Sequence, residues 1–312
     1  MGGSGGGRSY SSSTVTVDDL LRNAHQQVDQ RRYDAEVNEL LQDALQGFNE
    51  RDAEDDRERL DAILDALCGE GDEAITLRFG GSVRKHTYVD GFSDVDVIAV
   101  LNGSELAHLS PQEVLSTFAS RLRQRLLGVE VDAGTLAVTV RYPDGREIQV
   151  LPTLPTKTGL RIANADGQGW SNLVRPDGFA RKLTAINRAN GNRVVPVIKL
   201  FKGIVETALP AMMKLTGYHA ESLAIEAFAT YDGPLTSKAM LRHLCRTAVE
   251  RVRTPIADRT GQSLHVDDYL GGPNNQARRD LATRLDRLAK RIEDADRRGD
   301  AEAWRSMLGG EA

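Results

Sequence analysis

The sequence predicts a mixed α/β (α+β) fold in which a small sheet is followed by a mostly helical half. Two observations carry this prediction. Strand-like apolar runs are confined to residues 74–151, and after Pro155 the apolar positions follow helical spacing between Gly and Pro punctuation. The chain has 312 residues, of which 40% are hydrophobic and 27% charged, so it is long enough for two globular domains.

The first half begins with two predicted helices and two strands. Apolar residues recur every three or four positions over residues 18–48 and again over 60–67, which is one face of a helix in each segment. Residues 74–79 form a short β-like run that stops at Gly80 and Gly81. The nearly continuous apolar run Val95–Leu101 predicts a buried strand.

The next elements are a helix, a hairpin and the helical half. Ser110-Pro111 is a cap and first-turn signal for a helix over residues 111–127. Strands predicted over residues 135–142 and 147–151 flank Pro143-Asp144-Gly145, which suits a hairpin turn. Five further helices are predicted over residues 179–188, 195–205, 219–229, 237–252 and 274–298.

These patterns predict three segments. Residues 1–13 are rich in Gly and Ser and are expected to form a flexible tail. Residues 14–158 are expected to form the sheet domain with its N-terminal helices. Residues 159–312 are expected to form a helical domain that closes a binding cleft against the sheet domain.

Charge and cysteine content exclude several classes of protein. The 40 basic and 45 acidic residues give a net charge of −5, so the whole molecule does not attract polyanions. Cys68 and Cys245 provide neither a disulfide framework nor a zinc site, which favours a cytoplasmic protein. No apolar run approaches the roughly 18 residues of a spanning helix, so no membrane association is predicted.

The residues that suggest chemistry lie between Gly80 and Asp96. Glycines after a strand allow a sharp turn and a close approach to a ligand, so Gly81 and Ser82 are candidate phosphate-binding residues. Asp94 and Asp96 alternate along a strand and therefore share one face. Paired carboxylates of this kind suit Mg²⁺ (or Mn²⁺), which makes both residues candidate metal ligands and catalytic residues.

Three residues of the helical half are further candidates for substrate binding. Lys199 and Lys202 are three residues apart and share a helix face, which suits a triphosphate as well as it suits a solvated lysine pair. Tyr218 either stacks on a nucleotide base or is a half-buried core tyrosine.

Together these motifs resemble the polymerase-β-like nucleotidyltransferases. Gly-Gly-Ser, Lys85, Thr87, Gly91 and the run Ser93 to Asp96 are similar to oligoadenylate synthetases and to the bacterial CD-NTases of anti-phage CBASS systems. Residues 196–203 and the run Tyr218 to Glu221 resemble the lysine helix and the following helix of these families.

The resemblance implies a nucleotidyltransferase core with a C-terminal helical domain. It further implies metal-dependent synthesis of a cyclic or linear oligonucleotide second messenger from NTPs, with a regulatory protein or nucleic acid as a possible activator. Asp94 and Asp96 would hold the metal, Gly81 and Ser82 the phosphates, and Lys199 and Lys202 the triphosphate.

The families resembled have a third carboxylate on a neighbouring strand, three residues before a proline. In this sequence that position is Gln149, three residues before Pro152. An amide oxygen can ligate a cation but cannot act as a general base. Glu147 could substitute only if its strand slid or its side chain reached about 6.6 Å along the strand. Both an active enzyme and a degenerate nucleotide-binding protein remain open.

A second class of enzyme shares the same motifs. Nucleotidyltransferases that modify RNA, a protein or a small molecule also use Gly-Ser and Asp-x-Asp parts, although the long helical half argues mildly against them.

Overall fold

A computed structural model describes residues 16–49, 53–68, 74–89, 95–164, 166–171, 173–174, 176–210, 213, 215–258, 260 and 264–309. The tail predicted at residues 1–13 lies outside these ranges, as do Gly91, Ser93 and Asp94. None of the described helices combines the length and apolar character needed to cross a membrane.

Helices account for most of the described chain. They are α1 Val17–Gly47, α2 Ala53–Leu67, α3 Gly81–Arg84, α4 Pro111–Arg125, α5 Pro176–Ala189, α6 Val194–Ala208, α7 Gly217–Phe228, α8 Ser237–Arg251, α9 Gln276–Arg298 and α10 Ala301–Met307. The strands are β1 Ile75–Phe79, β2 Val95–Leu101, β3 Glu130–Ala133, β4 Val138–Arg141, β5 Glu147–Pro155 and β6 Leu160–Arg161.

The strands form one mixed sheet in the order β1-β2-β5-β4-β3, with β6 paired to the end of β5. Among the described strands, β2 and β5 are the one parallel pair, and their register places residues 95–100 of β2 beside residues 148–153 of β5. The predicted hairpin is confirmed, since β4 and β5 are antiparallel around Pro143-Asp144-Gly145. The sequence did not predict β3, because only Val131 of its four residues is buried.

The apolar residues separate into two cores. One lies between the sheet and helices α2 and α4, and it contains Ile63, Val97 and Phe118. The other joins helices α5 to α10 around Phe201 and Trp304. The predicted mixed α+β fold with a helical second half is therefore what the structure has. A cleft between the two lobes is lined by five of the candidate residues, Gly81, Ser82, Asp96, Lys202 and Tyr218.

Helix α1 belongs to the second core rather than the first. Its residues Val37, Leu41 and Leu45 are buried against the helical lobe, where α1 contacts α6, α8 and α10. The sequence predicts α1 as part of the sheet domain, because periodicity identifies the buried face of a helix but not the surface that covers it. By contrast, α2 packs on β1 and α4 of the sheet lobe.

Candidate active site

The turn after β1 is built around the carboxylate of Asp96. The backbone N–H of Gly80 donates to the carbonyl oxygen of Asp96 at 2.8 Å. Gly81 has φ +42°, and a Cβ at this position would lie 1.5 Å from Asp96 Oδ2. Any side chain here would displace the carboxylate, so the second glycine of the motif is required both by its backbone conformation and by its contact with Asp96.

Gln149 lies beside Asp96 on the neighbouring strand. The parallel register of β2 and β5 pairs Asp96 with Gln149, and both residues are half-buried. The structure thus brings the predicted carboxylate and the amide at the third-carboxylate position onto the same face of the sheet. Asp94, the other predicted metal ligand, lies outside the described residues.

Glu147 is engaged elsewhere. Its Oε1 accepts a hydrogen bond from Arg141 Nε at 2.6 Å, across the β4–β5 pair. Because the register places Gln149 rather than Glu147 beside Asp96, the strand slip that would let Glu147 replace the third carboxylate is not seen.

The donor set that the structure describes suits a hard cation with few protein ligands. Asp96 supplies a carboxylate, and the adjacent Gln149 carries an amide oxygen on the same face. No cluster of three or more His, Cys, Asp or Glu side chains with metal-binding geometry occurs among the described residues. Mg²⁺ commonly takes only one or two carboxylates and completes its shell with phosphates and waters, so the two residues fit that ion.

The opposite wall of the cleft is organised by the buried carboxylate of Glu221. This side chain is 1% exposed and forms ion pairs with Lys85 and with Lys202, the latter at 3.1 Å. It also accepts a hydrogen bond from Thr87 Oγ1 at 2.5 Å, and Lys202 Nζ donates to the carbonyl oxygen of Thr87 at 2.9 Å. The cluster therefore links the loop after α3 in the sheet lobe to α6 and α7 in the helical lobe.

The charges of this cluster depend on one another. Burial alone would raise the pKa of Glu221, but the ammonium groups of Lys202 and Lys85 outweigh burial and hold that pKa below its usual range. Burial lowers the pKa of Lys202, and the Glu221 carboxylate partly offsets the effect. Glu221 is therefore ionised at neutral pH, and it keeps two ammonium groups at the edge of the cleft.

Lys199 lies apart from Lys202 despite the shared helix. Its Nζ donates a hydrogen bond to Asn49 Oδ1 at the end of α1, and Lys199 does not line either end of the described cleft. The structure thus brings Lys202 to the site together with Gly81, Ser82 and Tyr218, but it does not bring Lys199 there.

Tyr218 is fixed at both ends of its side chain. Its hydroxyl donates to Asp258 Oδ1 at 2.6 Å, and its ring meets Phe179 edge to face with centroids 4.6 Å apart. Burial is the largest cause that raises the pKa of this hydroxyl, and the Asp258 carboxylate adds to it. Lys85 Nζ lies 5.1 Å from the Phe179 ring centroid and 5.5 Å from that of Tyr218.

The cleft has two ends, which share Gly81, Lys85, Asp96 and Tyr218. The polar end has a volume of about 280 Å³, and its other lining residues include Ser82, Lys202 and Glu221. The apolar end has a volume of about 460 Å³, and Leu136, Leu151 and Phe179 are among its walls. A molecule with a charged part and a flat apolar part would fit across both, with Asp96 at the junction.

Sequence reasoning missed Glu221, Lys85 and Phe179 as site residues. Lys85 and Glu221 occur in the motifs quoted above, but no spacing rule pairs residues 136 positions apart. Nothing in the local sequence marks Phe179 as a site residue, because an aromatic residue at helical spacing is also typical of a hydrophobic core.

Comparison with known proteins finds similarity in structure alone. No known family model and no curated protein matches this sequence. Solved structures do match. The Bradyrhizobium diazoefficiens CD-NTase CdnG in complex with GTP has a TM-score of 0.67 at 15% identity, and the match covers 89% of this chain and 97% of that one.

Two further structures show the same similarity. The structure of Escherichia coli MS115-1 CdnC with ATP has a TM-score of 0.63 at 17% identity, with 83% of this chain and 92% of that one covered. A Vibrio cholerae di-nucleotide cyclase, DncV, has a TM-score of 0.59 at 12% identity, with 94% and 91% covered. The resemblance that the motifs indicate is thus confirmed at the level of the fold, and the chain has the fold of the bacterial CD-NTases.

Proposed function

We propose that the chain is a metal-dependent nucleotidyltransferase that joins NTPs into a cyclic or linear oligonucleotide second messenger. The observation that carries the proposal is the position of Asp96. Its carboxylate packs against Gly81 at the junction of a lysine-lined polar cavity and an apolar one, in a chain with the CD-NTase fold.

The residues of the cleft have separate roles in phosphate binding, charge stabilisation and metal binding. Gly81 and Ser82 hold phosphate oxygens, and Lys202 with Lys85 stabilises the negative charge that develops on the leaving pyrophosphate. A hydroxyl of a second nucleotide attacks the α-phosphorus. The new P–O bond forms as the bond to pyrophosphate breaks, and the hydroxyl proton passes to solvent or to a substrate phosphate. Mg²⁺ or Mn²⁺ held by Asp94 and Asp96 would neutralise charge on the phosphates.

The similar structures support NTPs as substrates and a protein as regulator. CdnC was solved with ATP and CdnG with GTP. CdnC was also solved in a complex with a HORMA protein, and that match covers 84% of this chain. By analogy we infer that this chain uses purine NTPs, responds to a regulatory protein, and acts in anti-phage signalling inside the cell.

The test is incubation of the protein with the four α-labelled NTPs and Mg²⁺ or Mn²⁺, followed by phosphatase treatment and separation. A phosphatase-resistant product that is lost in the Asp94→Ala/Asp96→Ala variant is expected. A product in which the label is attached to added RNA, protein or a small molecule would instead assign the chain to the nucleotidyltransferases that modify such acceptors.

A degenerate nucleotide-binding protein is the second candidate, and the Asp96–Gln149 pair favours it. Gln149 lies at the register position where a carboxylate would complete the acidic site, and an amide cannot accept the hydroxyl proton. If the wild type binds NTPs without turnover, Gln149→Asp is the variant to assay, with Gln149→Asn as the uncharged control. Activity gained only by Gln149→Asp would identify a chain that lost catalysis through this one residue.

A further inference from the structure

We propose that the first half of α1 is a docking surface on which two copies of this chain pair as antiparallel helices. The described side chains from Val17 to Arg32 are all exposed, whereas Tyr33, Val37, Leu41 and Leu45 are buried. At about 1.5 Å per residue, these 16 positions form a projecting helix roughly 24 Å long. These 16 residues make about four and a half turns of helix, and none of their described side chains is buried.

The projecting segment carries an apolar stripe. Val17, Leu20, Leu21 and Val28 are 71%, 59%, 54% and 61% exposed, and Ala24 lies between them on the same face. With about 3.6 residues per turn, these five positions fall on one side of the helix. The buried residues of the same helix, among them Val37 and Leu41, fall on roughly the opposite side. The body of the protein therefore cannot cover the stripe by a simple extension of its own contact with α1.

An isolated helix of this length is marginal in water, and a partner along the stripe would stabilise it. Val17, Leu21, Ala24 and Val28 are separated by steps of four, three and four residues. This alternation is the spacing of a two-helix seam. The narrow width of the stripe suits another helix better than a flat surface.

The charges of the segment select a second copy in antiparallel orientation. Asp18 lies at the start of the projecting helix, while Arg31 and Arg32 lie at its end, and all three are exposed. Antiparallel pairing brings the acidic start of one copy toward the basic end of the other, whereas parallel pairing brings like charges together. When Leu21 is level with Val28 of the other copy, Asp18 is level with Arg31.

The position of the body supports the same orientation. Antiparallel helices place the two protein bodies at opposite ends of the pair, so the bodies do not collide. A lipid surface is a poorer occupant, because residues 17–32 contain three acidic and three basic side chains and so offer no net positive charge to anionic lipid.

The first test is sedimentation equilibrium of the full chain over a concentration series. The wild type is expected to rise from 34.1 kDa toward twice that mass, and Leu21→Asp to stay at the monomer mass. Gln26→Asp is the matched control, since Gln26 lies opposite the stripe, and it is expected to behave as the wild type. A wild type that stays monomeric up to about 1 mM, or a Leu21→Asp variant that still dimerises, would overturn the proposal.

The orientation is tested by oxidative cross-linking in a Cys68→Ser background, in which the remaining Cys245 is buried. Ala24 lies near the midpoint of an antiparallel pair, so Ala24→Cys is expected to cross-link, whereas the two Val17→Cys positions lie roughly 20 Å apart and are not. Equal cross-linking of both variants would contradict the antiparallel arrangement. Co-sedimentation with phosphatidylcholine–phosphatidylserine vesicles that is lost in Leu21→Asp would reassign the stripe to a membrane surface.

Discussion

The two ends of the cleft are built by different means. At the polar end, charged groups are fixed by one another, since Glu221 holds Lys85 and Lys202 in a buried cluster. At the apolar end, side chains are fixed by packing, since Tyr218 rests edge to face on Phe179 and its hydroxyl is tied to Asp258. Asp96 belongs to both ends, and its position is set by the backbone turn at Gly81.

This difference assigns a part of the substrate to each end. Ammonium groups with a single shared carboxylate retain positive charge for phosphate oxygens, whereas rings and aliphatic walls suit a nucleotide base. The chemistry would then occur between them, at Asp96. Substitutions at the junction, at either end or in the helix that supports both ends should therefore have distinct effects, with the largest at the junction and the smallest at the apolar end.

The junction should be the most sensitive position. Asp96→Asn keeps the shape of the side chain but removes the negative charge, and we expect product formation to fall by about 10³-fold or more, with NTP binding largely retained. Initial rates with labelled ATP and GTP measure the effect. Asp232→Asn, an exposed carboxylate outside the cleft, is the matched control and should keep wild-type rates. Equal losses in both variants would refute a special role for Asp96.

At the polar end, Glu221→Gln should destabilise the folded chain. The variant leaves two ammonium groups without their buried counter-charge, and breaking a buried pair in this way costs about 3 kcal/mol. Urea unfolding measures the loss, and Glu302→Gln, whose ion pair with Arg305 is exposed, should change stability by less than about 0.5 kcal/mol. A stable Glu221→Gln protein would show that the cluster is held by packing rather than by charge.

Helix α7, which carries both Tyr218 and Glu221, should lose stability in mild acid through His219. Burial is the largest cause that lowers the pKa of His219, to about 4, while the nearby Asp267 carboxylate opposes the shift. In the unfolded chain this pKa is near 6.5, so the unfolded state binds the proton first and stability is lost as the pH falls.

From pH 6.5 to pH 5 this one group should cost roughly 1.5 kcal/mol. Urea unfolding at several pH values measures how steeply the free energy of unfolding falls as the pH falls. The His219→Gln variant should lack the part of this dependence that His219 contributes. An unchanged slope in His219→Gln would contradict the assignment.

At the apolar end the expected effect is smallest. Tyr218→Phe removes the hydrogen bond to Asp258 and keeps the ring, so we expect a loss of about 1 kcal/mol in stability and a modest rise in KM for NTPs. Tyr142→Phe is the matched control. The Tyr142 hydroxyl is buried and makes no hydrogen bond within the described part of the chain, so its removal should be neutral or stabilising.

The sequence predicts the parts of this site that are local. The turn at Gly80 and Gly81, the strand Val95–Leu101 and the helix that bears Lys202 follow from patterns of a few residues. The packing of α1 on the helical lobe and the Glu221 cluster could not be predicted in this way, because each depends on contacts between segments far apart in the chain. Lys199 illustrates the same limit, since its helix face is shared with Lys202 but its ammonium group is bound by Asn49.

The measurement that tests the central claim most directly is a crystal structure with a non-hydrolysable ATP analogue and Mg²⁺. The account predicts phosphates at the polar end beside Ser82, Lys85 and Lys202, the base at the apolar end near Phe179 and Tyr218, and the α-phosphate next to Asp96. An analogue bound outside this cleft, or with its base among the lysines and its phosphates at the apolar end, would contradict it.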